Sequence, residues 1–257
     1  MTHATFGVVA GSVLALMAGQ AMADDSVWSA WHGTVGLGVV TGPAFDGSDE
    51  TTTAPVPLVD VEHRDGRVFL STRNGVGYRI VNTEGVKAGV ALTMVGGRDS
   101  SDDNRIARFE DIDTAAGAQV FGEYAVTDSV NLTGDVTQSL GGSDGWRATV
   151  GLGTARPLTD RLLATAGVNT TYASKDDMKT WFGVTPAQAA VSSLARYTPD
   201  AGWRDVGVNV GLNYALTDTW SLGGGMGLTR LVGDAADSPI SKENSALAGF
   251  AGVTYRF

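Results

Sequence analysis

Few side chains in this sequence could carry reaction chemistry. It contains no cysteine and three histidines, His3, His32 and His63. That excludes disulfide frameworks, thiolate zinc sites, cysteine nucleophiles and histidine-rich metal centres together. Hydrolysis of a lipid ester would need a serine, a histidine within hydrogen-bond reach and a third polar group to orient it. Serines are plentiful, but the strand pattern developed below puts His32 and His63 at the opposite end of the molecule from the serine-rich loops. The run Arg98-Asp99-Ser100-Ser101-Asp102-Asp103-Asn104-Arg105 gathers hard oxygen ligands of the kind calcium takes. It lacks the spacing and bidentate glutamate of an EF-hand, and Arg98 and Arg105 can neutralise it, so a solvated, self-paired loop is the plainer reading. The same holds for Asp234, Asp237 and the Asp200/Asp205 pair. No catalytic, cofactor-binding or metal-binding residue is assigned, and no cofactor is implied.

Composition narrows the class further. Lysine plus arginine number 18 against 28 aspartate plus glutamate, a formal charge of −10. This is the wrong sign for a nucleic-acid partner, whose phosphates call for a basic surface. An apolar fraction of 43% is too high for a disordered chain. Glycine, at 35 of 257 residues, is about twice as frequent as the ~7% of ordinary proteins.

Hydrophobicity repeats every second residue rather than every 3.6. In 205–214 the odd positions are Asp205, Gly207, Asn209, Gly211 and Asn213; the even ones are Val206, Val208, Val210, Leu212 and Tyr214. Segments 130–139, 161–172 and 247–257 read the same way. The face opposite the apolar one is glycine, threonine, asparagine and isolated charges, unlike the Lys/Glu coat of a soluble sandwich. Several segments exceed the ~9–11 residues that a tilted strand needs to cross a bilayer. Short turns at 64–67, 82–85, 126–129, 157–160 and 216–218 alternate with long loops at 43–53, 98–112, 174–201 and 232–245, with a shorter loop at 140–145. This asymmetry is that of a bacterial outer-membrane barrel. The expected fold is all-β, a transmembrane antiparallel up-and-down barrel.

Strand number follows from parity, because both chain ends must lie on the short-turn, periplasmic side. Segment 67–82 would have to begin and end on that side, and it contains Asn74-Gly75, a strong hairpin signal. Dividing it there gives 12 strands: 32–42, 54–63, 67–73, 75–81, 86–97, 113–125, 129–139, 146–156, 160–173, 202–215, 218–231 and 246–257. Ten is the alternative if that hairpin folds otherwise. The expected inward set includes His32, Thr34, Glu62, Arg79, Gln119, Arg147, Asp205 and Asn209. These carry both signs and so can fill a lumen by pairing, while inward glycines leave space; open and filled lumens both fit the pattern.

The chain ends carry further signals. Residues 4–20 form a short apolar stretch followed by Ala21-Met22-Ala23 and two aspartates, which reads as a signal peptide over 1–23, leaving a barrel domain at 24–257. Tyr255 and Phe257 resemble the terminal aromatic strand read by outer-membrane assembly machinery. In loop 174–201, Thr185 and Pro186 mark the start of a short helix over about 186–194. Trp181, Phe182, Pro186 and Gln188 are there the candidates for contact with an external partner, the other reading being a lid over the barrel mouth. On the periplasmic side the candidates are Trp28, Trp31, His32 and His63.

Several longer stretches are more specific: Gly77-Tyr78-Arg79-Ile80-Val81-Asn82-Thr83-Glu84-Gly85, Phe182-Gly183-Val184-Thr185-Pro186-Ala187-Gln188-Ala189, and Asp234-Ala235-Ala236-Asp237-Ser238-Pro239-Ile240. With Pro55-Val56-Pro57 and the terminal Tyr255-Arg256-Phe257, they make the chain resemble the MipA/OmpV family of outer-membrane proteins over essentially all of 24–257. The resemblance implies an outer-membrane barrel that acts without catalysis as a scaffold joining a lytic murein transglycosylase to a murein synthase. It brings no catalytic residues. The alternatives to set against a scaffold are a narrow channel for small solutes, a surface adhesin and, least supported, a lipid-modifying enzyme. Outer-membrane lipid and the assembly machinery are the other expected partners.

Overall fold

Alternating glycine, threonine or asparagine with valine or leucine favours extended backbone, with one face for lipid and one for a polar interior. The computed structural model describes residues 30–257. These form twelve strands closed in the order β1-β12-β11-β10-β9-β8-β7-β6-β5-β4-β3-β2. The strands are β1 Trp31–Pro43, β2 Thr51–His63, β3 Val68–Ser71, β4 Gly75–Asn82, β5 Val86–Val95, β6 Ala115–Thr127, β7 Val130–Ser139, β8 Trp146–Pro157, β9 Leu162–Ala173, β10 Gly202–Ala215, β11 Trp220–Leu231 and β12 Ser245–Arg256. The strand count expected from parity is the one observed. The last strand closes on the first through eight paired residues, from Thr34↔Arg256 to Thr41↔Gly249. Phe257 and Gly33 then exchange backbone hydrogen bonds of 3.1 and 3.3 Å.

Facing follows the alternation. Val208 is 48% exposed, whereas Asn209 beside it is 7% exposed. Leu37, Leu92, Met94, Val120 and Leu247 stand equally open on the outside. So large an exposed apolar belt is unstable in water and suited to hydrocarbon. Aromatic residues mark its borders. At the long-loop end Trp146 stacks on Tyr172 with centroids 6.0 Å apart, and Tyr172 meets Trp203 edge-on at 5.5 Å. Trp220 and Tyr255 meet at 5.2 Å at the short-turn end.

Two expectations need correction. The third strand is four residues long instead of 67–73, and its turn occupies 72–74, with Gly75 at φ +73° opening β4. The φ is one that glycine alone adopts freely, so the Asn-Gly signal located the turn, although three residues rather than two form it. The long loop at 174–201 contains two helices rather than one: α1 Lys175–Phe182, which was not expected, and α2 Pro186–Val191, shorter than expected. A further short helix, α3, covers Gly233–Ala236. The expected cap of α2 is present as a reciprocal pair: Gln188 N donates to Thr185 Oγ1 (3.2 Å) and Thr185 N donates to Gln188 Oε1 (2.9 Å).

The register can be checked by moving a charge across one Cα. Val208→Arg should destabilise the folded barrel by about 2–4 kcal/mol if it lies near the bilayer midplane, whereas Asn209→Arg should be much milder. Denaturant unfolding in vesicles reads both; equal losses would contradict the assigned facing.

Candidate functional site

The long loops are not independent. Ala44 and Phe45 after β1, Ile106 and Phe109 between β5 and β6, Val184 between α1 and α2, and Ile240 after α3 form one buried apolar cluster. A second joins Met178, Trp181 and Phe182 of α1 to Ile112, Leu231 and Ala235. Side-chain bonds tie the loops: Ser238 Oγ donates to Phe182 O (2.6 Å), and Tyr197 Oη to Asp234 O (2.9 Å). The result is a cap with its own core, packed over the external end of the barrel.

Beneath α1 lies a cluster of charges. Asp177, 1% exposed, accepts from Arg147 Nε at 2.7 Å and sits 3.6 Å from Arg204 Nη1. Arg204 also pairs with Asp46 of the first loop and lies 3.7 Å from Asp205 Oδ2. Its guanidinium packs over Phe182 at 5.2 Å, and that of Arg147 over Trp181 at 5.1 Å. Arg98 Nη1 donates to Trp181 O (2.8 Å). Burial pushes the Asp177 carboxyl above its usual range against the pull of Arg147, and burial lowers Arg98 to about 10. At the exposed edge of the cap the balance reverses. Lys242 holds Asp49, and Lys175 holds Asp200, below the ordinary carboxylate range.

Arg204 escapes the alternation, which would place it on the lipid face next to Val206. A bulge between Trp203 and Asp205 turns both Arg204 and Asp205 away from lipid. α1 was missed because its signal is short: Ser174 caps it by accepting from Asp177 N (3.3 Å), and Asp176 and Asp177 occupy the first turn.

The residues singled out from the sequence separate clearly. Trp181 and Phe182, candidates for an external partner, are 4% and 0% exposed; they fill the cap core and have no face left to offer. Pro186 is exposed, and Gln188 is engaged in the helix cap. At the short-turn end His32 Nε2 lies 3.2 Å from Glu62 Oε1, whose other oxygen accepts from Arg79 Nη1 at 2.6 Å. His63 Nδ1 lies 3.0 Å from Asp65 Oδ1, and its ring meets Trp31 edge-on at 5.6 Å. Tyr255 faces outward at the same end. Trp28 and the expected signal peptide at 1–23 lie outside the described residues. In the acidic loop, Asp103 forms a two-point ion pair with Arg105, Asp99 accepts from Ser101 N, and Asp111 accepts from Ser100 N. Among the described residues no group of three or more histidines and carboxylates is placed to hold a metal ion.

A closed twelve-stranded barrel with an apolar outer belt and aromatic borders is an outer-membrane β-barrel protein. The family profile described as "MltA-interacting protein MipA" matches residues 35–257, and the chain belongs to that family. Two curated relatives, each named MltA-interacting protein, come from Escherichia coli (strain K12) and Shigella flexneri. Each is 25% identical over 254 residues, covering 96% of this chain and 96% of the relative. Among solved structures, the NanC porin is 12% identical at a TM-score of 0.42, over 86% of this chain and 100% of its own. The DcaP channel of Acinetobacter baumannii is 9% identical at 0.42, over 92% and 100%.

Two outcomes follow. Asp177→Ala takes from Arg147 its ion-pair partner and from Arg204 one of three facing carboxylates. It should loosen the cap by about 3 kcal/mol, read as faster amide exchange in 175–191 while the barrel keeps its heat-modifiable mobility. Unchanged exchange would mean that the charge cluster does not hold α1. Deleting Phe257, which removes one closing bond pair and the terminal aromatic, should lower the amount of assembled, heat-modifiable protein in cells.

Proposed function

We propose that this protein is a non-enzymatic scaffold of the cell envelope that docks a murein transglycosylase at its periplasmic rim and through it a murein synthase. The observation that carries this reading is the division of the barrel's two ends. On the external end the aromatic residues of the long loop, Trp181 and Phe182, are packed into the cap. On the periplasmic end an aromatic and charged group, Trp31 with His63 and His32 with Glu62, remains at the surface. Murein and its enzymes lie on that side. The printed name of the relatives, which match nearly end to end, points to the same partner class. The scaffold reading also suits the placement of His32 and His63 beside carboxylates, far from the outer leaflet where a lipid-modifying enzyme would work. The expected signal peptide accords with this route to the envelope, and the segment 24–31, with Asp24, Asp25, Trp28 and Trp31, would extend the docking surface.

Replacing residues 176–198 with a short Gly-Ser linker should leave capture of the transglycosylase intact in a pull-down from envelope extract, while altering adhesion, phage sensitivity or solute entry. Truncating 24–30 should do the reverse. Loss of capture on removal of the external loop, with the barrel still assembled, would overturn the scaffold reading.

A further inference from the structure

The barrel wall is incomplete on one side. β2 pairs with β1 along its whole length, Trp31↔His63 to Pro43↔Thr51. With β3 it pairs only through Asp60, Val61 and Glu62. On the far side of the short hairpin, β4 pairs with β5 no higher than Val76↔Leu92, with Gly75 beside Thr93, leaving Met94 and Val95 without a paired neighbour on that side. β2 and β5 are not paired with each other. Above the β3–β4 turn there is therefore a notch flanked on one side by residues 51–56. At a rise of about 3.3 Å per residue these six span roughly 20 Å of strand edge. The long loops identify this as the outer-leaflet half.

The sequence of β2 is adapted to this edge. Val59 N donates to Thr72 Oγ1 (2.8 Å), so the odd-numbered residues of β2 direct their backbone groups toward the missing strand. The next two odd positions are Pro55 and Pro57, which have no N–H to leave unpaired in hydrocarbon. Thr72 completes the patch: its N donates to Val59 O (2.7 Å) and its hydroxyl to Pro57 O (2.8 Å), in place of a strand residue.

Behind the notch the inner wall is largely apolar, bordered toward the short-turn end by Asp60 and by Arg79, whose guanidinium lies 4.7 Å over the Phe69 ring. Val40, Val56, Leu58, Phe69, Phe121 and Phe250 occupy inward positions of β1, β2, β3, β6 and β12. Phe69 and Phe121 meet at 5.5 Å. Leu58 lies over Gly252, where an added Cβ would come within 2.5 Å of its methyl. Across the lumen, the corresponding positions hold Thr133, Thr165, Asn169 and Asn209. An aqueous pore gives no reason for such a division. Outside the notch stand Leu92 and Met94, exposed in the belt that contacts lipid, so the material at its mouth is hydrocarbon.

We propose that the notch is a lateral portal and that the apolar sector behind it binds an acyl chain of an outer-leaflet lipid. The prolines at 55 and 57 remove the donors on the deeper part of this edge, Thr51 and Thr53 at the loop end keeping theirs, and the inward phenylalanines and Leu58 supply the surface the chain covers.

The cysteine-free chain makes a direct test straightforward. Single cysteines are introduced as Val56→Cys, and independently Ala54→Cys, both inward at the notch. Val168→Cys faces lipid, and Asn169→Cys faces the polar side of the lumen. Each is labelled with bimane, its folding is checked by heat-modifiable mobility, and the barrel is placed in phosphatidylcholine vesicles carrying doxyl groups on the acyl chain. The expected result is loss of fluorescence at positions 56 and 54 comparable to that at 168, with little loss at 169, and the reverse order with aqueous iodide. Quenching at both notch positions by iodide instead of doxyl chains would make the sector a water-filled pore. Quenching by neither would make it a dry, occupied wall. Either result overturns the proposal.

Discussion

Everything in this molecule is subordinate to one constraint: hydrocarbon supplies no hydrogen-bond partner, so a strand crossing it needs a neighbour on each side or a means of doing without one. Closure of β12 onto β1 satisfies the rule at the chain ends, with the last residue bonded to Gly33. Ten of the strands are ten residues or longer, and all of these except β2 obey it with paired neighbours along most of their length. The β3–β4 hairpin is too short to do so, and there the rule is met by composition. Prolines remove the donors at positions 55 and 57, and the Thr72 hydroxyl takes the place of the next strand beside Pro57 and Val59. The deeper part of the thinned wall is therefore the part whose backbone has been chemically prepared for it.

The same scarcity of solvent governs the external end. Asp177, Arg147 and Arg204 are withdrawn from water together, which is costly for each singly and acceptable only because each charge faces an opposite one. Trp181 and Phe182 cover the guanidinium planes and exclude competing water. The bulge at Arg204 makes this arrangement available by turning two consecutive residues to one side of a strand. The cluster's contribution is orientation as much as energy. Arg204 touches the first loop, α1 and its own strand, and so fixes where the longest loop sits over the mouth.

How far the sequence could be read depended on the range of the interactions involved. Facing, strand number and the position of the irregular hairpin all follow from period-two patterning, the Asn74-Gly75 turn and the even count that a two-ended membrane imposes. These are local or topological rules, and Val208 and Asn209 obey them as neighbours should. The cap of α2 was equally legible, since Thr185, Pro186 and Gln188 lie within one turn. The rest was not, because it is made by contacts distant in sequence. Arg204 meets Asp46 across 158 positions (204 − 46), and Phe45 shares a core with Ile240. Carrying the alternation of 205–214 back to Arg204 would put it on the wrong side, for a bulge leaves no mark in the pattern it interrupts. The fate of Trp181 and Phe182 was undetermined for a related reason: an aromatic pair in a loop looks the same whether it faces a partner or the loop next to it.

External loops of a membrane barrel are ordinarily the part of the chain freest to change, since each hangs from its own hairpin and answers to nothing but solvent. Here that freedom is curtailed. Phe45, Ile106, Val184 and Ile240 come from four different connections and fill one another's space, so an altered volume in one loop is felt in three others. Under pressure from phage or from host antibodies, escape by single changes is confined to the skin of the cap, at positions such as Pro186 and Ala187 that stand clear of the core. Deeper change must come as coordinated replacement of several loops at once, and the cap would then diversify in discrete jumps rather than by gradual drift.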